Sequence, residues 1–290
     1  MLNLLKKFPG QVKEAIKLTR NIKVNGFNKI LICGMGGSGI SGYLLRDVVE
    51  LPVFISQSYD IPKFVDNKTL VFVISYSGDT EETISMYKKA VKKTKKIFII
   101  TSGGKLSREK NVILVPPGLL PRMALAYLFF PMLVILKSSK VVRYDLDDIL
   151  TSLKKVKINK AKKLARKLYK NVPVIYAPSS YFGLVWRWKQ SLNEYSKQLA
   201  VANIYPEFFH NEIEADYNKV KVVLFVDKAD KKIKGFKKMV KVHEVKLYGK
   251  SLIAKMFYGI YLGDFVSYYL ARLNKKDPLK EEKIDKLKCI

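Results

Sequence analysis

Apolar residues recur in the first half of the chain as short unbroken runs: Lys29-Ile-Leu-Ile-Cys33, Val53-Phe-Ile-Ser56, Leu70-Val-Phe-Val-Ile74, Ile97-Phe-Ile-Ile-Thr101 and Val112-Ile-Leu-Val115. Runs of this length without polar alternation suit strands buried on both faces. Stretches 41–50 and 81–93 between them have a helical pattern, and residues 1–23 form an amphipathic helix or helix pair built on Leu2, Leu5, Val12, Ile16 and Leu18. Five such strands with helical connectors predict a parallel, doubly wound α/β sheet. An almost wholly apolar stretch, 123–136, reads as a buried helix: it contains Pro131 and is too short to cross a bilayer.

A polar stretch, 137–148, reads as a linker, and the pattern then restarts. A lysine-rich helix at 160–169 with Asn159 as its N-cap is followed by a strand at 172–177, a turn at 178–180 and a helix at 186–199. Strands at Val220–Val226 and 240–247, a helix at 251–273 and a short last helix after Asp277-Pro278 close the chain. The expectation is two α/β subdomains, 1–140 and 141–290, each with a doubly wound parallel sheet, and a C-terminal helical segment. No direct sequence repeat accompanies this duplicated order.

Composition narrows the class. The chain has 290 residues, 48% of them hydrophobic and 27% charged, enough for two real cores. Its start lacks the apolar core of a signal peptide. With Cys33 in a strand and Cys289 at the tail, a disulfide framework is not expected, in keeping with a reducing cytoplasm. Two cysteines and two histidines, His210 and His243, leave little for a transition-metal site.

The formal charge of +29 invites a nucleic-acid reading, but only eight of the 54 basic residues are arginines. Base readout favours Arg forks, and no basic-aromatic stacking platform interleaves the lysines. A lysine-rich solvated surface that steers anions is the simpler account, with no specific nucleic acid and no membrane as partner.

Two loops carry the chemistry. Gly34-Met-Gly-Gly-Ser-Gly-Ile40 follows the first strand and Ser75-Tyr-Ser-Gly-Asp-Thr-Glu-Glu-Thr83 the third, and each opens a helix. Small residues permit close backbone approach, and hydroxyls with helix N-terminal N–H groups provide donors for a phosphate monoester. The first loop also spells the dinucleotide fingerprint Gly34-x-Gly36-x-x-Gly39. That fingerprint needs an acid at the end of the next strand, where this chain has Gln57-Ser58, and it leaves the second loop without a purpose. A purely structural turn remains the plain alternative.

Other candidates are less defined by pattern alone. Arg122, after the fifth strand, falls on the carboxyl edge beside both loops. Arg187, Gln190, Glu194 and Gln198 share one helix face, so Glu194 is either a solvated carboxylate or a group facing a cleft. Glu207-Phe-Phe-His-Asn-Glu-Ile213 is an unusual loop composition, in which His210 is either structural or functional; His243, among valines in a strand, reads as structural.

Taken in order with Thr101-Ser-Gly-Gly-Lys105, Pro121-Arg-Met-Ala-Leu125, Asn193-Glu194 and Gly263-Asp264, these segments resemble the bifunctional phosphoglucose/phosphomannose isomerases, a branch of the sugar isomerase (SIS) superfamily. The resemblance implies two SIS-type subdomains and interconversion of glucose 6-phosphate and mannose 6-phosphate with fructose 6-phosphate through a cis-enediol, without a cofactor. It implies that Gly37, Ser38, Ser75, Ser77 and Thr80 bind the sugar phosphate and that Glu194 is the base. Arg122 would sit beside the enediolate, and His210 would open the sugar ring from the partner subunit of a homodimer. Lys288, or its neighbour Lys286, would lie near the ring oxygen. Asp79 stands where that family commonly has Asn, and Glu214-Ala215 where a glycine is usual. Another SIS-type sugar-phosphate isomerase, an amino-sugar-phosphate enzyme and a non-catalytic sugar-phosphate sensor remain as alternatives.

Overall fold

The computed structural model describes every residue except 20, 21, 229, 230, 289 and 290, so Cys289 lies outside the described residues. The amphipathic start resolves into two helices, α1 (Leu2–Lys6) and α2 (Phe8–Lys17), the second with Pro9 in its first turn, where a missing N–H costs nothing. The chain divides into two compact units, one formed by Lys7–Asp145 and the other by Met1–Lys6 with Leu146–Ile290.

In the Lys7–Asp145 unit, β1 (Lys29–Cys33), β2 (Val53–Ser56), β3 (Thr69–Ile74), β4 (Ile97–Thr101) and β5 (Val112–Leu114) form an all-parallel sheet in the order β2-β1-β3-β4-β5. The central strand β3 is buried at every position, which is why its sequence shows no alternation. Helix α3 spans Gly36–Val48, five residues earlier than the apolar pattern indicates. Met35 is extended and serves as its N-cap, so the glycine loop is the first turn of the helix rather than a lead-in to it. Helix α4 covers Glu81–Ala90, with Glu81 and Glu82 at the positive end of its dipole and Lys88 and Lys89 at the negative end. Helix α5 (Leu125–Ser138) is buried from Leu125 to Leu136. No helix among the described residues is long and apolar enough to cross a membrane.

The second unit opens with α6 (Leu146–Lys154), which takes up the end of the stretch that reads as a linker. Helix α7 spans Ile158–Leu168 with Lys157 as N-cap, so Asn159 lies inside the first turn and does not cap it. Strand β6 (Val172–Pro178) leads through a short 3-10 turn to α8 (Phe182–Ser196), which begins four residues before the expected start. Strand β7 (Val201–Tyr205) has no counterpart in the sequence reading: it is short, only half buried and at the sheet edge. After β8 (Val220–Val226), α9 (Lys231–Met239) is also unforeseen, because Ile233 and Phe236 alone are buried among its lysines. With β9 (Val242–Lys246) the sheet runs β7-β6-β8-β9, again all parallel. Helix α10 (Leu252–Leu273) starts on Ser251, whose Oγ accepts the Ala254 N–H, and packs on α6, α7 and α8; α11 (Glu282–Lys288) ends the described chain. The protein is thus α/β, with two parallel-sheet SIS-type subdomains and C-terminal helices.

Candidate active site

Ligands on open parallel sheets bind beyond the carboxyl ends of the strands. In the Lys7–Asp145 unit that edge is built from three loops held to one another by backbone contacts. Gly37 is pressed so closely on the Pro121–Met123 turn that an added Cβ would lie 3.0 Å from the Arg122 nitrogen. The buried Ser38 Oγ accepts the Tyr76 N–H at 3.3 Å, joining the glycine loop to the hydroxyl loop. Tyr76 in turn donates from its hydroxyl to the Pro116 carbonyl at 2.8 Å and accepts the Leu119 N–H at 2.9 Å. Gly37, Ser38, Tyr76 and Arg122 are therefore neighbours, and the Arg122 side chain is 1% exposed.

Within the hydroxyl loop, Ser75 is buried, its Oγ lying 2.9 Å from Thr80 Oγ1 and accepting the Gly78 N–H at 3.1 Å. Gly78 has φ +77° and sits against the Gly103 carbonyl, where any side chain would collide. Ser77 is exposed and accepts only a long bond, 3.3 Å, from the Asp79 N–H. The negative charge of Asp79 does not enter this cradle: its carboxylate accepts the Lys105 N–H at 2.9 Å on the Gly104 side. The loop thus presents hydroxyls, N–H groups and a helix N-terminus to an anion. The ribose position of the dinucleotide fingerprint is filled by Gln57, whose Oε1 accepts from the Tyr43 hydroxyl at 2.8 Å, while Asp60 beyond it pairs with Lys89.

In the second unit, Glu194 lies in the last turn of α8, half buried. It is not a plainly solvated carboxylate: with Asn193, Lys197 and residues of 275–284 it lines a cavity of about 790 Å³. His210 ends the 3-10 turn Glu207–His210 and is exposed. It follows the carboxyl end of β7, whereas Glu194 precedes the amino end of that strand, so the structure does not bring the two together within this unit. Five residues at about 3.3 Å rise separate the strand ends by about 13 Å. Lys288 is the last residue of α11 and its side chain lies outside the described residues; Lys286 is exposed.

Supports for these groups escaped the sequence reading. Glu212 receives the Tyr176 hydroxyl at 2.6 Å and the Asn203 amide at 2.8 Å, and its carbonyl receives the Tyr217 hydroxyl at 3.0 Å. Burial, and then this contact with Glu212, drive the Tyr176 phenol far above its ordinary pKa. The only hint in sequence is the density of acids and amides around His210. Burial pushes the Cys33 thiol up to about 12, so it is unreactive. Among the described residues, no group of three or more His, Cys, Asp or Glu is arranged to hold a metal ion.

Relatives decide the family. Over 96% of its length this chain is 37% identical to a bifunctional phosphoglucose/phosphomannose isomerase from Thermoplasma volcanium, 96% of which is covered. The chain belongs to that family. Residues 157–289 also match the family described as the bacterial phospho-glucose isomerase C-terminal SIS domain. A D-glucosamine-6-phosphate 4-epimerase from Sulfolobus acidocaldarius is 34% identical over 74% of this chain and 72% of its own length. Among solved structures, the C-terminal domain of glucosamine-fructose-6-phosphate aminotransferase from Francisella tularensis superposes with a TM-score of 0.72 at 18% identity, covering 97% of this chain and 98% of that one; this likeness is one of fold.

Proposed function

We propose that this chain is an aldose–ketose isomerase that interconverts glucose 6-phosphate and mannose 6-phosphate with fructose 6-phosphate through a cis-enediol. The observation that carries the reading is identity at 37% running through both units, not confined to one of them. Ser75, Ser77 and Thr80, with Ser38 and the Gly37 backbone, hold the phosphate. Glu194 takes the proton from C2 and returns it to C1, Arg122 balances the oxyanion that develops between them, and Lys288 lies near the ring oxygen. An enediol has no configuration at C2, so return of the proton from either face links both aldoses to one ketose.

His210 opens the sugar ring from a second copy of the chain in a twofold dimer. The separation of Glu194 and His210 by the length of β7, together with the exposure of His210, supports donation across an interface. In such a dimer each site combines Glu194 of one chain with His210 of the other.

The epimerase relative favours a second reading, in which an amino-sugar phosphate is the substrate. Purified protein assayed with glucose 6-phosphate, mannose 6-phosphate and glucosamine 6-phosphate, each with a chelator present, separates the two. Fructose 6-phosphate formed from the first two sugars supports the isomerase. A C4-epimerised amino sugar with no ketose from either hexose phosphate overturns it.

A further inference from the structure

Behind Glu194 lies a buried ion pair. Arg187, two turns earlier on α8, is 1% exposed, and its Nη2 donates to Asp264 Oδ1 on α10 at 3.0 Å. Ser191 Oγ donates to the same oxygen at 2.9 Å, and the Tyr195 hydroxyl lies 3.4 Å from Nη2. The two helices are drawn together beside this pair: Trp188 Nε1 donates to the Gly259 carbonyl at 2.8 Å, and a side chain at Gly263 would strike the Trp188 ring. The spacing of Arg187, Ser191, Glu194 and Tyr195 puts all four on one side of α8.

A pair this deep is seldom retained for stability, since well-packed apolar residues serve as well or better. Its position suggests another use. Glu194 sits at the C-terminal end of α8, where the helix dipole is negative and disfavours a carboxylate. A cation buried one or two turns back along the same face opposes that field in a medium that screens it poorly. Burial alone would lower the Arg187 pKa, but Asp264, Tyr195 and Glu194 outweigh it and hold the guanidinium charged. Burial pushes Asp264 up, and Arg187 with Ser191 pulls it back. The other charges facing Glu194 are Lys197, at the end of its own helix, and Lys275, Lys276, Lys280 and Lys283 against Asp277, Glu281 and Glu282 on the C-terminal segment. These are of mixed sign along an open cavity and are screened by solvent.

We propose that Arg187 is a positioning residue that keeps Glu194 a carboxylate, and that Asp264 and Ser191 hold the guanidinium in place and moderate its pull. The reaction step assigned to Glu194 rests on the isomerase reading above; the charge coupling does not. It is therefore tested first without turnover.

The probe is the side-chain carboxyl signal of Glu194 in protein labelled with carbon-13 at glutamate, assigned by its loss in Glu194→Gln and followed against pH. Arg187→Gln alone would strand Asp264, so the informative variant is Arg187→Met with Asp264→Leu, which removes both charges at similar volume. Its Glu194 midpoint should rise by about half a unit to one unit, while Arg187→Lys should stay near wild type. In the isomerase assay the acidic limb of kcat/KM should move by the same amount in the same direction. A folded double variant with an unmoved midpoint overturns the proposal, and one that does not fold assigns the pair to stability instead. A moved midpoint in a protein without isomerase turnover upholds the coupling and overturns the isomerase reading alone.

Discussion

The Tyr176 hydroxyl donates to Glu212 at 2.6 Å, tying an interior strand of the second sheet to the segment that carries His210. The bond is to a charged acceptor and is partly buried, a setting in which one hydrogen bond contributes about 1.5–3 kcal/mol. Tyr176→Phe should therefore lower the unfolding midpoint and loosen the 207–214 segment, which hydrogen exchange would register as faster labelling there. Its kcat should fall less than that of His210→Ala. Unchanged exchange in the segment would separate Glu212 from the placement of His210.

Substrate phosphate should depend on the exposed hydroxyls of the 75–80 loop. Ser77→Ala removes a donor that structures nothing but a long bond to Asp79, so KM should rise by about tenfold or more with little change in Tm. Thr80→Val should raise KM as well and also lower stability slightly, because Ser75 loses its partner. Asp79→Asn should leave KM near wild type, since the amide oxygen can still accept the Lys105 N–H. Initial-rate kinetics with fructose 6-phosphate check all three; an unmoved KM in both hydroxyl variants removes this loop from the substrate site.

Glu194→Gln preserves size but not basicity. Loss of a general base should reduce kcat by about 10²–10⁴. In deuterated water the wild-type enzyme should incorporate solvent deuterium at the transferred position, since a carboxylate that holds a proton exchanges it. Near-wild-type activity in the Gln variant would end the assignment.

Mixed dimers test the donation of His210. Glu194→Gln and His210→Ala should each be nearly inactive as homodimers. When co-expressed, half the dimers are mixed, and in each of these one site inherits both lesions and the other neither. Recovered activity should be about a quarter of wild type. Purified mixed dimers without activity would return His210 to its own chain's site or remove it from catalysis.

His243 should register as an acid sensitivity of folding. Burial first, and then Lys167, Lys221 and Lys241, lower its pKa below the ordinary histidine value of 6.5. The unfolded chain thus binds the proton more readily, and the contribution to stability is full above the unfolded pKa and lost as pH falls through it toward the folded one. Urea midpoints of wild type and His243→Asn should converge, or cross, between pH 7.5 and pH 5.5. Parallel pH dependence in the two proteins would show that His243 is not the group responsible.

Much of this protein was legible before any coordinates. Strands buried on both faces, such as Leu70-Val-Phe-Val-Ile74, need apolar residues at every position, so β1, β3 and β4 were visible as runs and the parallel sheet followed. The phosphate loop was legible for a similar reason: tight turns before a helix restrict residues to glycine, serine and threonine. Elements with weak burial were not. Strand β7 is a half-buried edge, and α9 hides its two apolar residues among lysines, so neither wrote a pattern along the chain. The choice between a solvated and a cleft-facing Glu194 also lay outside the sequence, because it turns on which residues of 275–284 wrap its helix end. The same holds for Arg187 and Asp264, which are 77 residues apart and meet only because two helices pack closely enough to bury both charges. Local chemistry constrains composition at adjacent positions, whereas a long-range contact depends on packing that no single segment encodes.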